Sequence, residues 1–332
     1  MKVTKINPLN PEKEKLKEAA SILKKGGVLI FPTDTVYGIG TSYKNEAGLK
    51  KIFALKQRPE IKPLAILVES KKMALGIVES NKKIEKEVEK VWPGAVTLLL
   101  KAKIPLSPFL RDSSSKVGLR VPDYPLLLKL LKISGPLAAT SANISGQPAD
   151  CQIETIEKKI LKGADLIIDG GKTSGKESSV WDFTGEPAKL IRGEILFVCT
   201  GNSCRSPMAA GLMKKMLEEK GNKNIRVDSA GFLFSARGAT KEAIEVMKGE
   251  GIDLLNHRSK LATPFLVKNF DLILVMGEIH KERILKMFHQ AAERVFVLDI
   301  PDPIGKPLTF YEQTLKTIKE KIKGIVLEKI KL

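Results

Sequence analysis

The chain has 332 residues, 43% of them hydrophobic and 28% charged, with a formal net charge of +18. This length predicts two domains with full hydrophobic cores. Three cysteines exclude a disulfide scaffold, and the longest apolar runs, Val96–Leu100 and Phe270–Met276, fall far short of the roughly 20 residues a membrane span needs.

The three histidines (His257, His280, His289) stand in no metal-ligand spacing, so neither structural zinc nor histidine catalysis is expected. No apolar signal region follows Met1, and a cytoplasmic protein with no membrane partner is the expectation. Residues 1–193 carry 33 basic and 21 acidic groups, and residues 194–332 carry 23 and 17. The larger excess in the first part favours polyanions there, a nucleotide, RNA or both. Forty-six of the basic residues are lysines, many of which simply solvate helix faces. The ten arginines are more informative, and Arg58, Arg120, Arg192 and Arg205 all occupy motif-like positions flanked by Gly or Pro.

In chain order, Pro11–Lys25 has a helical apolar stripe closed by Gly26-Gly27. A buried strand, Val28–Phe31, breaks into Pro32-Thr33-Asp34-Thr35-Val36-Tyr37-Gly38, hydroxyl-bearing residues suited to a sheet-edge ligand. Helix Glu46–Lys56 leads into the basic cluster Lys56, Arg58, Lys62, for which a solvated charge run is the plain alternative. Strands follow at Leu64–Val68, Val96–Leu100 and around Val117–Arg120, with a charged helix at Lys82–Trp92. Arg120 lies between apolar neighbours, a costly place unless it faces an anion or a carboxylate. Leu137–Thr140 is a buried strand opening into Ser141-Ala142-Asn143-Ile144-Ser145-Gly146, small residues that let a backbone approach a ligand. Helix Ile153–Lys162, strand Leu166–Ile168, Ser178-Ser179-Val180 and Arg192-Gly193 complete this part. The pattern predicts an α/β domain with one polar cleft and no obvious nucleophile, suited to positioning a nucleoside triphosphate and a small polar substrate.

Six motifs in order carry a resemblance: Thr33 to Gly38, Lys56-x-Arg58-Pro59, Trp92 to Thr97, Arg120-x-Pro122, Ser141 to Gly146 and Ser178-Ser179-Val180. Together they resemble the threonylcarbamoyl-AMP synthase (YrdC/Sua5-like) family across residues 8–193. The resemblance implies a YrdC-like open twisted α/β fold joining L-threonine, bicarbonate and ATP, with release of pyrophosphate, and Mg²⁺ as companion ion. It also implies tRNA-modification partner proteins and RNA as a further ligand. Lys56, Arg58, Lys62, Ser141, Asn143 and Arg192 would bind ATP; Thr35, Arg120 and Ser178 would bind threonine, with Arg120 on its carboxylate. Two departures stand out: Ser179 replaces the usual threonine, and Arg192-Gly193-Glu194 stands where Arg-Pro-Gly would be usual. A competing reading is an RNA-binding module with a vestigial cleft.

With no Gly/Ser/Pro linker, Arg192-Gly193-Glu194 runs straight into the strand Ile195–Val198. This strand ends in Cys199-Thr200-Gly201-Asn202-Ser203-Cys204-Arg205-Ser206-Pro207, followed by a helix to Lys220. Loop N–H groups and the positive helix end would form a phosphate-sized nest with Cys199 at its base as a thiolate. A buried cysteine closing a strand is the plain alternative, and the Arg-Ser-Pro continuation weighs against it. Strands at Ile225–Asp228, Phe270–Met276 and Val295–Leu298 alternate with helices at Ala239–Lys248, Ile279–Phe288 and Phe310–Ile330, predicting a small doubly wound, four-stranded parallel sheet. Asp302-Pro303 adds a candidate proton donor.

The cysteine loop, Ser229-Ala230-Gly231, Asp271–Met276 and Asp302-Pro303 resemble the low-molecular-weight protein phosphatases over residues 194–332. The resemblance implies no cofactor and phosphorylated proteins as substrates. Cys199 would be nucleophile, Arg205 and the loop N–H groups of Thr200 to Cys204 the oxyanion donors, and Asp302 acid then base. Asn202 would shape the loop, Ser206 would bond the thiolate, and Cys204 would pair reversibly with Cys199 on oxidation. Small, hydroxylated Ser203 precedes the second cysteine where tyrosine-directed members carry a bulky aliphatic residue, which favours phosphoarginine over phosphotyrosine.

Overall fold

The computed structural model describes residues 2–233 and 238–331. They form two compact units, 1–188 and 189–332.

The first unit is built from β1 (Val3–Lys5), α1 (Lys13–Lys24), β2 (Leu29–Phe31), β3 (Gly38–Ser42), α2 (Glu46–Lys56), β4 (Ala65–Leu67), α3 (Lys71–Ile77), α4 (Lys82–Val91), β5 (Val96–Lys101), β6 (Lys116–Arg120), α5 (Pro125–Ser134), β7 (Leu137–Ser141), α6 (Lys158–Gly163), β8 (Leu166–Asp169) and β9 (Ser179–Asp182). The strands lie in the order β1-β8-β2-β3-β7-β4-β6-β5-β9, with parallel and antiparallel neighbours mixed. Alternation along the buried strands sends Ile30, Ala138 and Ile167 to one core and Leu29, Phe31, Leu137, Ala139, Leu166 and Ile168 to the other. Leu16, Ala19, Ala20 and Leu23 of α1 and Leu126, Leu127, Leu130 and Leu131 of α5 cover the second core. The first is covered by Leu49, Ile52 and Phe53 of α2 with Ala74, Ile77, Val88 and Ile160 from later helices.

The expected helix over 153–162 is interrupted. A 3-10 turn at Ile153–Thr155 is followed by extended Ile156, and only then does α6 begin. The break sends Ile156 into the core, where it is buried. Pattern reading also missed β1, β3, α3, α5 and β9 in this unit. Glycine-rich β3 shows no alternation, and α5 is too uniformly apolar to show a helical stripe.

The second unit comprises β10 (Lys189–Cys199), α7 (Arg205–Glu219), β11 (Ile225–Gly231), α8 (Lys241–Gly249), α9 (Pro264–Lys268), β12 (Leu272–Val275), α10 (Glu278–Met287), β13 (Val295–Val297) and α11 (Leu308–Lys329). All its strand pairs are parallel, in the order β11-β10-β12-β13. One face packs Leu196, Val198, Ile273 and Val275 against Val267 and Ile284 of α9 and α10. The other is covered by α7, which also contacts α8 and α11. β10 is both first and central, so the chain departs to β11 on one side and to β12 on the other. That reversal opens a crevice at the carboxyl end of β10, where Cys199 stands. The sheet is thus doubly wound and four-stranded, as the sequence pattern predicts.

Candidate active sites

In the first unit, side-chain bonds draw several strand ends together. Thr33 folds the turn after β2 on itself: its Oγ1 donates to Val36 O at 2.8 Å and accepts from the Thr35 and Val36 amides. Arg120, at the end of β6, reaches across to this turn. Its Nη2 pairs with Asp34 at 2.6 Å, Nη1 donates to Thr35 Oγ1 at 3.1 Å, and Nε donates to Gly94 O at 2.9 Å. Buried Arg120, expected to face an anion or a carboxylate, here faces the carboxylate of Asp34. Ser178 and Thr97 share a hydroxyl bond of 3.0 Å, and Ser174 Oγ ties the segment before β9 to Asp34 O and Thr35 O.

Lys56, the last residue of α2, is 1% exposed. Its ammonium donates to the main-chain oxygens of Ser141 and Asn143 and, at 3.1 Å, to Asn143 Oδ1. Asn143 in turn donates to Gln147 O at 2.6 Å and accepts from Ser141 Oγ at 2.5 Å. Burial, with the neighbouring Arg58 charge second, pushes the Lys56 pKa down to about 7. Arg58 donates to Lys62 O at 2.6 Å and Pro63 O at 2.9 Å, and the Lys62 side chain is exposed. Lys56, Ser141 and Asn143 thus converge, as do Arg120 and Thr35, and the β3–β7 pair links the two groups through Gly38 opposite Ser141. Arg192 lies on β10, in the second unit. Asp34 and Thr97 join these residues without having been singled out; buried Arg120, needing a carboxylate, was the signal for Asp34.

In the second unit Cys199 is 1% exposed and its Sγ lies 3.0 Å from Ser206 Oγ and 3.2 Å from the Asn202 amide, which donates to it. Asn202, fully buried with φ of 52°, is the keystone of the loop. Its Nδ2 donates to Ser206 Oγ and Ser229 Oγ, both at 2.9 Å, and its Oδ1 accepts from the Lys260 amide at 2.8 Å. Asn202 O accepts from Ser259 Oγ at 3.0 Å and lies 2.7 Å from His257 Nε2. Gly231 has to be glycine, because a Cβ there would stand 2.6 Å from the Asn202 nitrogen.

Helix α7 begins at Arg205, so its positive end faces the loop. Arg205 pairs with Asp302 and donates to Ile300 O at 3.2 Å, while its Nε is buried without a partner. Gly201 and Ser203 complete the turn, and Ser203 O accepts from the Thr240 amide at 2.8 Å. Cys204 is buried, which together with nearby Cys199 pushes its thiol up to about 11. The loop thus gathers a buried cysteine, an arginine, a helix N-terminus and a carboxyl group in one crevice. His257 and His280 were missed: they touch the loop from residues 55 and 80 positions away, with no spacing to announce them.

A strand-loop-helix cysteine nest and a separate polar cleft, each on its own α/β unit, define a two-site α/β protein. Comparison supplies the families. A family model described as telomere recombination (Sua5, YciO, YrdC) matches residues 21–193, and one described as low molecular weight phosphotyrosine protein phosphatase matches residues 194–331. The chain belongs to the Sua5/YciO/YrdC family, joined in one polypeptide to a low-molecular-weight phosphatase domain. It is 35% identical to the threonylcarbamoyl-AMP synthase of Bacillus subtilis over 188 residues, 55% of this chain and 54% of that protein. The chain therefore spans about half the length of that relative. The threonylcarbamoyl-AMP synthase of Photobacterium profundum is 30% identical over 169 residues, 50% of this chain and 91% of the relative. The crystal structure of Escherichia coli YciO superposes with a TM-score of 0.55 at 26% identity, covering 58% of this chain and 95% of that one.

Proposed function

We propose that the chain is bifunctional: an L-threonylcarbamoyladenylate synthase joined to a cysteine-dependent protein phosphatase. For the synthase, the L-threonine amine and bicarbonate condense to a carbamate with loss of water, and a carbamate oxygen attacks the α-phosphate of ATP, expelling pyrophosphate. The observation that carries this reading is the pair of converging donor groups, Lys56–Ser141–Asn143 and Arg120–Thr35. Lys56 fixes the Ser141–Asn143 segment that would meet the nucleotide, with Arg58 and Lys62 as further phosphate contacts. Threonine would sit by Thr35 and Ser178, its carboxylate competing with Asp34 for Arg120. Among the described residues no group of three or more His, Cys, Asp or Glu could hold a metal. Mg²⁺ would thus be carried by the ATP phosphates themselves. The product would pass to tRNA-modification partner proteins in the cytoplasm. Pyrophosphate release that depends on threonine and bicarbonate tests the reading. RNA binding by purified chain that releases none would favour the vestigial module instead.

For the phosphatase, Cys199 Sγ attacks phosphorus while the bond to the leaving atom breaks and Asp302 supplies that atom's proton. Arg205 and the loop amides take the equatorial oxygens. Water then attacks phosphorus, giving its proton to Asp302 while the S–P bond breaks, which releases inorganic phosphate and restores the Cys199 thiolate. Arg205 Nε, buried and unpartnered, supports an oxyanion at this place. We assign phosphoarginine as substrate: Ser203 Oγ has no partner among the described residues and can accept from a guanidinium. The family model's own description favours phosphotyrosine as the second reading. Phosphoarginine peptide should be cleaved faster than phosphotyrosine peptide, with Ser203→Ile reversing the order; the opposite ranking in the unmodified chain rejects the assignment.

A further inference from the structure

Behind the cysteine loop stands a group that the phosphatase steps do not use. His280, in the first turn of α10, is 3% exposed, and its Nε2 lies 2.9 Å from Thr200 Oγ1. Its ring stacks on Phe232 with centroids 6.0 Å apart and planes 7° from parallel, and Arg283 sits 5.5 Å over the far partner of that pair. The Phe232 and Leu233 amides both donate to Thr200 O, at 2.8 and 2.9 Å. Thr200 is thus gripped from two directions, by the backbone after β11 and by the imidazole.

The tautomer follows from the other ring nitrogen. Nδ1 is buried without a partner. A stranded N–H costs more than a stranded lone pair in practice, since orphaned buried donors are rarer than under-satisfied acceptors. On that ground the proton is assigned to Nε2, which then donates to the Thr200 oxygen. The threonine's own proton is then directed away from the imidazole. Burial, reinforced by the Arg205 charge, pushes the His280 pKa down to about 4, with Asp302 and the Gly277 backbone opposing and Arg283 adding, so the ring is neutral at working pH.

We propose that His280 is a positioning residue: it holds the Thr200 hydroxyl as a hydrogen-bond donor to the oxyanion bound in the cysteine loop. This rests on the phosphatase reading above. Thr200, half-buried beside the nucleophile, would be the group touching the phosphoryl oxygen, and His280 would act only through it.

The experiment uses the full chain and p-nitrophenyl phosphate, with inorganic phosphate and vanadate as inhibitors. Hydrolysis abolished by Cys199→Ser establishes the site; an inactive parent chain would overturn the phosphatase reading itself. Given an active parent, His280→Phe should raise the inhibition constants for both anions about tenfold and lower kcat/KM to match. His280→Gln, which keeps an N–H, should recover most of the loss. Thr200→Val should cost as much as His280→Phe, Thr200→Ser should cost little, and the double variant should be no worse than Thr200→Val alone. Unchanged anion inhibition in Thr200→Val overturns the proposal. So does equal damage from His280→Phe and His280→Gln, or additive losses in the double variant. If His280→Phe fails to fold, the Thr200 pair decides.

Discussion

Replacing Asn202 by alanine should separate the phosphatase unit's stability from that of the rest of the chain. The substitution removes three buried hydrogen bonds, to Ser206, Ser229 and the Lys260 amide. The serine hydroxyls can turn to other acceptors, and Ser206 already lies 3.3 Å from Ala230 O. The Lys260 amide loses its acceptor, and a stranded donor of this kind costs roughly 1–3 kcal/mol. Alanine at the φ of 52° adds about 1 kcal/mol of left-handed strain. With about 1 kcal/mol for the two lost side-chain donations, the loss is about 4 kcal/mol, a large share of ordinary domain stability. It should appear in calorimetry of the full chain as a fall of roughly 10–20 °C in one transition, the one that tracks loss of p-nitrophenyl phosphate hydrolysis. Hydrolysis at 25 °C should fall roughly 100-fold in kcat/KM, because a misplacement of about 1 Å is enough for that. Asn202→Gly removes the strain but not the lost bonds, so it should remain well below the parent. A transition within about 2 °C of the parent, with unchanged kcat/KM, would refute the keystone argument.

Three further outcomes follow from the same geometry. Arg120→Leu leaves the part-buried Asp34 carboxylate unpaired, so the first unit should lose about 3 kcal/mol in chemical denaturation and its threonine dependence should weaken; a variant as stable as the parent would show that the pair contributes nothing. Burial lowers the Lys56 pKa to about 7, so between that value and its ordinary 10.5 the unfolded chain binds more protons than the folded one. The first unit's stability should therefore rise with pH across that window in the parent and not in Lys56→Met; identical pH slopes would contradict it. The Cys204 thiol, raised to about 11 by burial, is ionised in about one molecule in ten thousand at pH 7. Iodoacetamide at neutral pH should leave it unlabelled in the folded chain, as peptide mapping would show, and label it after unfolding.

What the sequence could and could not disclose divides along physical lines. Cys199 to Ser206 were legible because one short loop supplies nearly every donor, and a chain that curls on itself needs no distant partner to be recognised. Arg120 was legible as a demand, an arginine among apolar neighbours, but not as an answer. Nothing local says that its carboxylate comes from Asp34, 86 positions away on another strand end. Lys56 shows the opposite case. A lysine beside Arg58 and Lys62 reads as one of three similar charges, yet folding buries it and leaves Lys62 exposed. Only the return of β7 beside β3 decides that, by bringing the Ser141 and Asn143 oxygens to the end of α2.

The histidines extend the same point to mechanism. Three histidines without metal spacing argued against histidine chemistry. The doubly wound order β11-β10-β12-β13 nevertheless brings His257, after α8, and His280, after β12, to opposite sides of one loop. Each meets it at a different oxygen, Asn202 O and Thr200 Oγ1. Burial lowers the pKa of both, His280 to about 4, which disfavours a second positive charge beside Arg205. A neutral imidazole offers one directional N–H without adding charge, which is what a loop already holding an arginine and a helix end can use. The crevice created by strand order, rather than any motif, determines which histidines are drawn into the site.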